Sequence, residues 1–455
     1  MNIKTKSIIT LCLTALASMP LSAQSYLGSV FEKEDGTWTR AKNISVGENK
    51  VTVTDYDSNS YTITNSHGST ASIKVVDNVL YCANDESLTS DLVKTASKTG
   101  CLTLSGTLNN HNWSLLNEGK LNGITSARFY KVNGDEAFTA LSNLKCSSLS
   151  SVTFEDCSFP NVTSLEKLLY ESAITSFTWG GMEVSENLNT LENMFSGCNS
   201  LQSVSLEGLK TSNVTSLGAL FYNCNSLSSI NLSGCVFSNV TECSSMFSGC
   251  SNLQSIDLSG HNLKNVTNSF GMFKDCEKLT SINFADCDFS KVTGSKWMFY
   301  QCKALQTVDL SGAKLSSKDC YGMFMNCGNL NSVNLSGCNF NGVTTCYEMF
   351  KNCSALKEID LSGCSFKCAD NASLTYMFYN CTSLETVDFS NCDLSSNSTS
   401  HQLLFTNCKA LKTIRAVGCN QTTITKLREA IELYKDYLCG VNIVTSDTSS
   451  EATAE

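Results

Sequence analysis

The stretch Met246-Phe-Ser-Gly-Cys-Ser-Asn-Leu-Gln-Ser-Ile-Asp-Leu-Ser-Gly-His261 decides the fold, because it returns along the chain with little change. Its phenylalanine stands three residues before a cysteine, and that pair recurs at Phe195, Phe221, Phe247, Phe273, Phe299, Phe324, Phe350, Phe378 and Phe405. The spacings are 26, 26, 26, 26, 25, 26, 28 and 27 residues. After each copy comes L-x-x-[IV]-x-[LF], as in Leu253-x-x-Ile256-x-Leu258 or Leu384-x-x-Val387-x-Phe389, relaxed in the last to Leu411, Ile414 and Ala416. Traced backwards, degenerate copies end at Trp179, Phe154, Phe129 and Leu104, so about thirteen coils cover residues 100–420.

Within a copy, Ile256 and Leu258 alternate with Asp257, the period-two pattern of a half-buried strand. A Ser-Gly turn follows, then a segment such as Asn265-Val266-Thr267 and a stretch carrying Met272-Phe273 that reads as one helical turn. One strand and one helical turn per 26 residues predicts an α/β solenoid, a leucine-rich-repeat horseshoe or rod with a parallel β-sheet on its concave face. A single copy buries about five large apolar side chains at about 2 kcal/mol each. Ordering its residues costs about 1.5 kcal/mol apiece, so no copy folds without neighbours to cover it.

Around the array the texture changes. Lys4 and Lys6 precede the apolar run Ile8–Leu21, which ends in Ser22 and Ala23. That order predicts a cleaved export signal over 1–23, cut after Ala23, because the run is too short to remain as a membrane span. Residues 24–95 read as a small β-rich domain, with Val51-Thr-Val-Thr and Tyr61-Thr-Ile-Thr flanking a turn at Asp57-Ser-Asn-Ser and another turn at Asp35-Gly36. The solenoid is assigned to 96–420, most regular over 191–420. A capping helix and strand are assigned to 421–446 and a tail to 447–455. Leu427, Ile431, Tyr434 and Leu438 share one helical face, as a lid on the last coil requires.

Of the 455 residues, 16% are charged, against about 25% in an ordinary soluble chain, and the net charge is −10. That balance argues against nucleic acid, whose phosphates need basic surface. The 25 cysteines fall mostly in columns. One runs without a gap from Cys198 through Cys224, Cys250, Cys276, Cys302, Cys327, Cys353 and Cys381 to Cys408. A second holds Cys235, Cys287, Cys338, Cys364, Cys392 and Cys419, with His261, Ala313 and Leu209 in the same place. Cys243, Cys320 and Cys346 share a third with Leu191, Leu217 and Leu374.

Exchange with leucine and alanine predicts small buried apolar sites holding free thiols. Zinc would want C-x-x-C pairs, and the nearest spacing is Cys364-x-x-x-Cys368. A catalytic thiolate would want a base beside it, and only four histidines exist. Disulfides suit an exported chain, but parallel Cβ vectors one strand apart keep the Cβ atoms farther apart than the roughly 3.8 Å that a bridge wants.

Function is left to the outward columns. One alternates Asn and Asp through Asp257, Asp309, Asp360 and Asp388 and reads as a solvated polar ladder rather than a calcium site. Tyr222, Tyr300 and Tyr379 follow the anchoring phenylalanines in a column that otherwise admits Lys, so their rings belong at the surface. These seven residues are the candidate partner-binding set. The sequons at Asn213, Asn239 and Asn265 are a by-product of the repeat. Acidic pairs such as Asp286 and Asp288 sit on a repeat turn, and no catalytic, phosphate-loop or metal motif is recognisable, so no cofactor is expected.

The motif M-F-x-x-C-x-x-L-x-x-I-D-L-S-G-C, as in Met246–His261 and Met349–Cys364, resembles that of BspA-like leucine-rich-repeat bacterial surface proteins. The resemblance is strong over 191–420, degenerate over 100–190 and absent from 24–95. It implies display on or release from bacteria and adhesion to host matrix proteins or other cells, and it brings no catalytic residues. The expected function is therefore an exported adhesin or interaction scaffold without catalysis, its partner an extracellular protein or glycoprotein such as host matrix. A self-assembling envelope protein and a secreted glycan-active enzyme are the alternatives.

Overall fold

Residues that return every coil can stack only if each coil rises by one strand spacing, and the backbone does this. The computed structural model describes residues 100–446 except 118–120, 122, 145, 312, 364–365 and 397–398, with backbone alone at 370–372 and 399–400. It also describes the backbone of five strands between residues 30 and 82. The export signal, the tail and Cys364 lie outside these residues. The chain divides into two compact units, one of residues 1–164 and 168–187, the other of 165–167 and 188–455.

In the first unit, Val30–Glu32, Trp38–Gly47, Lys50–Asp55 and Ser60–Thr64 form an antiparallel sheet in chain order, with Val51 opposite Ile63. A parallel stack then begins at Val79–Cys82, which pairs with Cys101–Leu108, earlier than the repeat pattern marks its start. The next rungs put Leu104 beside Phe129 and Phe129 beside Phe154, the register that the degenerate copies imply. Helix α1, Asn110–Asn117, follows the second of these rungs. The Asn109 side chain caps it by accepting the Asn112 N–H at 2.8 Å, and Trp113 donates to the Ser142 carbonyl at 2.8 Å.

In the second unit the strands of the L-x-x-[IV]-x-[LF] motif are three residues long, and a separate parallel pair, Asn341–Thr345 with Lys367–Ser373, is longer. Ser203–Ser205 pairs in parallel with Ser229–Asn231, Ser255–Asp257 with Ser281–Asn283, and Glu358–Asp360 with Thr386–Asp388. A second line of parallel bridges links Thr190, Ser216, Glu242, Asn268, Gly294, Asp319 and Thr345. The molecule is thus a leucine-rich-repeat-like parallel solenoid of about thirteen turns with little helix.

The segment around each Met-Phe pair is where the structure departs from the sequence reading. It is a run of tight turns, not a helical turn. The reason lies in φ. Two residues before the phenylalanine the backbone is left-handed at Asn193, Ala219, Ser245, Gly271, Trp297, Gly322, Glu348 and Tyr376. Two residues after it, Gly197, Asn223, Gly249, Asp275, Gln301, Asn326, Asn352, Asn380 and Asn407 are left-handed as well. Regular helix cannot pass through such alternation. The N–H groups freed in this way point along the stack, as in Phe221 N to Met246 O at 2.9 Å and Asn352 N to Tyr379 O at 2.8 Å.

The phenylalanines form a spine through the core. Successive rings from Phe195 to Phe405 stack at 5.1–5.9 Å between centroids, 1–13° from parallel, and all nine are fully buried.

At the carboxyl end, Asn420 caps helix α2, Gln421–Glu432, by accepting the Thr423 N–H. The helix stops at Glu432 rather than running on to Leu438, and a separate short helix α3 spans Lys435–Leu438. Its buried face is Thr423, Ile424, Leu427 and Ala430; Ile431 and Tyr434 are only partly covered. The strand Asn442–Val444 then pairs with Thr413–Arg415 as a last rung.

Candidate interaction surface

The cysteine columns lie inside. Every described cysteine is a free thiol, and all but Cys101, Cys419 and Cys439 are buried. They are not merely apolar filler, as their exchange with leucine implies. The Cys224 thiol donates to the carbonyl of Phe195 one coil back, at 3.1 Å. The same bond recurs from Cys276 to Phe247 at 3.1 Å, Cys327 to Phe299 at 3.0 Å and Cys408 to Phe378 at 3.0 Å. That carbonyl already accepts an N–H from its own turn, as Phe299 does from Cys302 at 3.2 Å, so the thiol fills its second lone pair. In the second column Cys287 donates to Leu258 at 3.0 Å, and His261 replaces the thiol with Nδ1 3.2 Å from the Cys235 carbonyl. Burial pushes the Cys327, Cys338 and Cys408 thiols up to about 12, which keeps them protonated as donors.

The acidic column is committed to turns. Asp257, Asp309, Asp360 and Asp388 each accept, through Oδ1, the backbone N–H two residues on, at 2.7–2.9 Å. Asn231, Asn283 and Asn334 do the same at 2.9–3.1 Å. This is an Asx turn closing the seven motif strands from Ser229–Asn231 to Thr386–Asp388, which accounts for the alternation of Asp and Asn. The hydrogen bonds from Ser259 and Ser311 hold the Asp257 and Asp309 carboxyls below the usual carboxylate range. Asp388 also meets Arg415 at 3.0 Å. Beside Asn231, Asp257 and His261 lies an open depression of about 500 Å³. Among the described residues no three metal-ligating side chains lie together.

The tyrosines are placed differently from one another. Tyr222 is 40% exposed and stacks on no ring among the described residues. Tyr300 and Tyr379 instead join a continuous stripe. Phe270 meets Trp297 at 5.6 Å, Trp297 meets Tyr321 at 5.6 Å, Tyr321 meets Tyr347 at 5.2 Å and Tyr347 meets Tyr376 at 6.4 Å. Tyr300 lies 5.9 Å from Trp297 and Tyr379 lies 5.3 Å from Tyr376. All seven rings are partly exposed.

Lysines lie over the stripe. Lys296 Nζ is 4.5 Å from the Trp297 ring and 4.8 Å from that of Tyr321. Lys274 lies over Trp297 and Tyr300, and Lys351 over Tyr379 at 5.3 Å. Lys351 also pairs with the buried Glu348, a contact that raises its affinity for the proton against the opposing pull of burial. Burial, then the Glu348 charge, raises the Tyr321 hydroxyl.

Trp297, Glu348 and Tyr376 hold φ of 58°, 57° and 56°, where bulky residues are rare. The indole has a prepared seat, because a Cβ on Gly322 would stand 2.8 Å from Trp297 Cδ1. Phe270, Trp297, Tyr321, Tyr347 and Tyr376 escape a reading confined to the column after the phenylalanine. They occupy the two columns two and three residues before it. The signal was there as aromatics at Phe270, Tyr321 and Tyr347 in one column and Trp297 and Tyr376 in the next.

A family model described as "Mycoplasma protein of unknown function, DUF285" matches residues 189–312 and 315–416, the regular part of the array, and together with the 26-residue coil it fits a leucine-rich-repeat protein. No curated protein matches the chain. A solved structure titled "Crystal structure of TLR13-ssRNA13 complex" is similar at 18% identity and a TM-score of 0.26, covering 78% of this chain and 55% of that one. This chain therefore spans little more than half the length of that match. Among the described residues no helix is long and apolar enough to cross a membrane.

Proposed function

We propose that this repeat protein is an exported interaction scaffold of the bacterial surface, an adhesin of BspA-like type that binds an extracellular protein or glycoprotein and carries out no catalysis. One observation carries the reading: the aromatic and lysine stripe of residues 270–379 is built from positions the fold leaves free. Core positions of the coil hold nearly the same residue in every copy, whereas the turn surface changes from Ser and Gly to rings in consecutive copies. Aromatic rings held rigidly by their neighbours carry binding energy at low entropic cost. The order of Lys4, Lys6, Ile8–Leu21 and Ala23 supports export.

The test is binding of residues 24–455 to immobilised extracellular matrix proteins and glycoproteins, with Trp297→Ala beside the parent chain. Saturable binding that the substitution weakens by more than about tenfold is expected. Binding that ignores it would move the site off the stripe, and amino-terminal sequencing of protein from the medium should begin at Gln24.

A further inference from the structure

We propose that the stripe is a track for an extended acidic polysaccharide, one whose sugar rings carry carboxylates; this rests on the scaffold reading and names its ligand class. The first reason is repetition. One ring per coil succeeds the next from Phe270 to Tyr376, at centroid distances of 5.2–6.4 Å. A linear polymer of similar-sized units can keep register with such a ladder over several coils. The epitope of a globular protein has no matching period. Neighbouring rings are tilted by 52–74°, so the stripe offers faces and edges in turn. A sugar ring has the complementary character, with apolar C–H faces and a hydroxyl rim.

The second reason is the state of the hydroxyls. Tyr300, Tyr321, Tyr347, Tyr376 and Tyr379 make ring contacts, but their hydroxyls bond no group among the described residues. A partner rich in hydroxyls can use them, and an apolar one cannot. The third reason is charge. Lys274 has Asp275 at 3.2 Å and Lys351 has Glu348, but Lys296 has only the two rings and no carboxylate among the described residues. An uncompensated ammonium on a chain of net charge −10 selects an anionic group locally. Three lysines, two of them already paired, are too few for a polyphosphate backbone.

The experiment uses the chain from Gln24 onward and two probes with one backbone, polygalacturonate and polygalacturonate with its carboxyls methyl-esterified. Calorimetric titration of the parent protein should show binding to the first. Esterification or Lys296→Gln should weaken it about tenfold, and Trp297→Ala more. Raising the salt to 1 M should weaken the acidic probe and spare the ester. Unfolding midpoints are read alongside; if Trp297→Ala lowers its own, Lys296→Gln and Tyr347→Phe carry the comparison.

Equal binding of the ester, indifference to Lys296→Gln, or no binding of polygalacturonate each overturns the acidic-glycan assignment. If a matrix protein is bound instead and Trp297→Ala abolishes that, the scaffold reading stands without its glycan. If nothing is bound by any route through the stripe, both readings fall.

Discussion

Tyrosine is used in two ways in the second unit. In the carboxyl-terminal cap, the Tyr434 hydroxyl meets Thr406 Oγ1 at 2.6 Å and the Tyr437 hydroxyl accepts the Asn407 N–H at 2.9 Å. Along the stripe, the hydroxyls of Tyr321, Tyr347 and Tyr376 bond to nothing among the described residues. The cap pair replaces a missing coil. In each earlier turn the residue two after the phenylalanine donates its N–H to the next coil, as Asn380 does to Thr406 O at 3.0 Å. Asn407 has no next coil, and the Tyr437 hydroxyl stands in. Lys426 likewise covers the Leu394 and Ser395 carbonyls at 3.3 and 2.9 Å, and the Thr423 hydroxyl takes the Leu394 N–H at 3.0 Å. The cap tyrosines thus complete the hydrogen bonding of the last coil, whereas the stripe tyrosines leave theirs open among the described residues.

The largest expected difference between the two regions is in stability. Leu427 is 1% exposed and seats α2. Leu427→Ala should cost about 2–5 kcal/mol through lost burial and the cavity left behind. Trp297→Ala, on a partly exposed ring, should cost far less while removing ligand binding. Chemical denaturation of both variants checks this. Equal losses would mean that the stripe is part of the core and would break the contrast.

Next in size is a matched pair of single-oxygen deletions. Tyr437→Phe leaves the Asn407 N–H without its acceptor and should cost about 1 kcal/mol. Tyr347→Phe removes a hydroxyl with no partner and should leave the denaturation midpoint where it was. If Tyr347→Phe destabilises as much as Tyr437→Phe, the stripe hydroxyls serve the fold and are not held for a ligand.

The coil length, the buried phenylalanine column and the strand register were legible in the sequence because identical residues must stack when coils do. The pairing of Leu104, Phe129 and Phe154 shows that the rule survives strong divergence. The tight-turn run reads as helical when the Met-Phe pair is considered alone, while the left-handed residues flanking the pair decide the backbone. Their signature was present in Asn326, Asn352, Asn380 and Asn407, whose side chains also form an amide ladder at 2.5–3.0 Å. The stripe was only half visible. Tyr300 and Tyr379 lie in one column, but their neighbours Trp297 and Tyr376 come from another, and only the turn geometry brings the columns together. The donor role of the thiols was invisible, since no pattern of residue types reveals a carbonyl with a spare lone pair.

The smallest expected effect concerns pH and the strand ends. Hydrogen bonds from Ser311 hold the Asp309 carboxyl below its ordinary value. A depressed folded value means that the ionised group adds stability above the unfolded value of about 3.9, lost as the pH falls from there through the folded value. The Asp309 share of stability should therefore be lost only below about pH 4, read as the difference between acid titrations of the parent chain and Asp309→Asn. Asp309→Asn should keep the turn, because Asn283 and Asn334 make the same bond in the coils on either side. It should also remove that site's share of the acid sensitivity. At pH 7 Asp309→Asn should cost no more than that share, and a larger loss would mean that the carboxylate does more than close its turn.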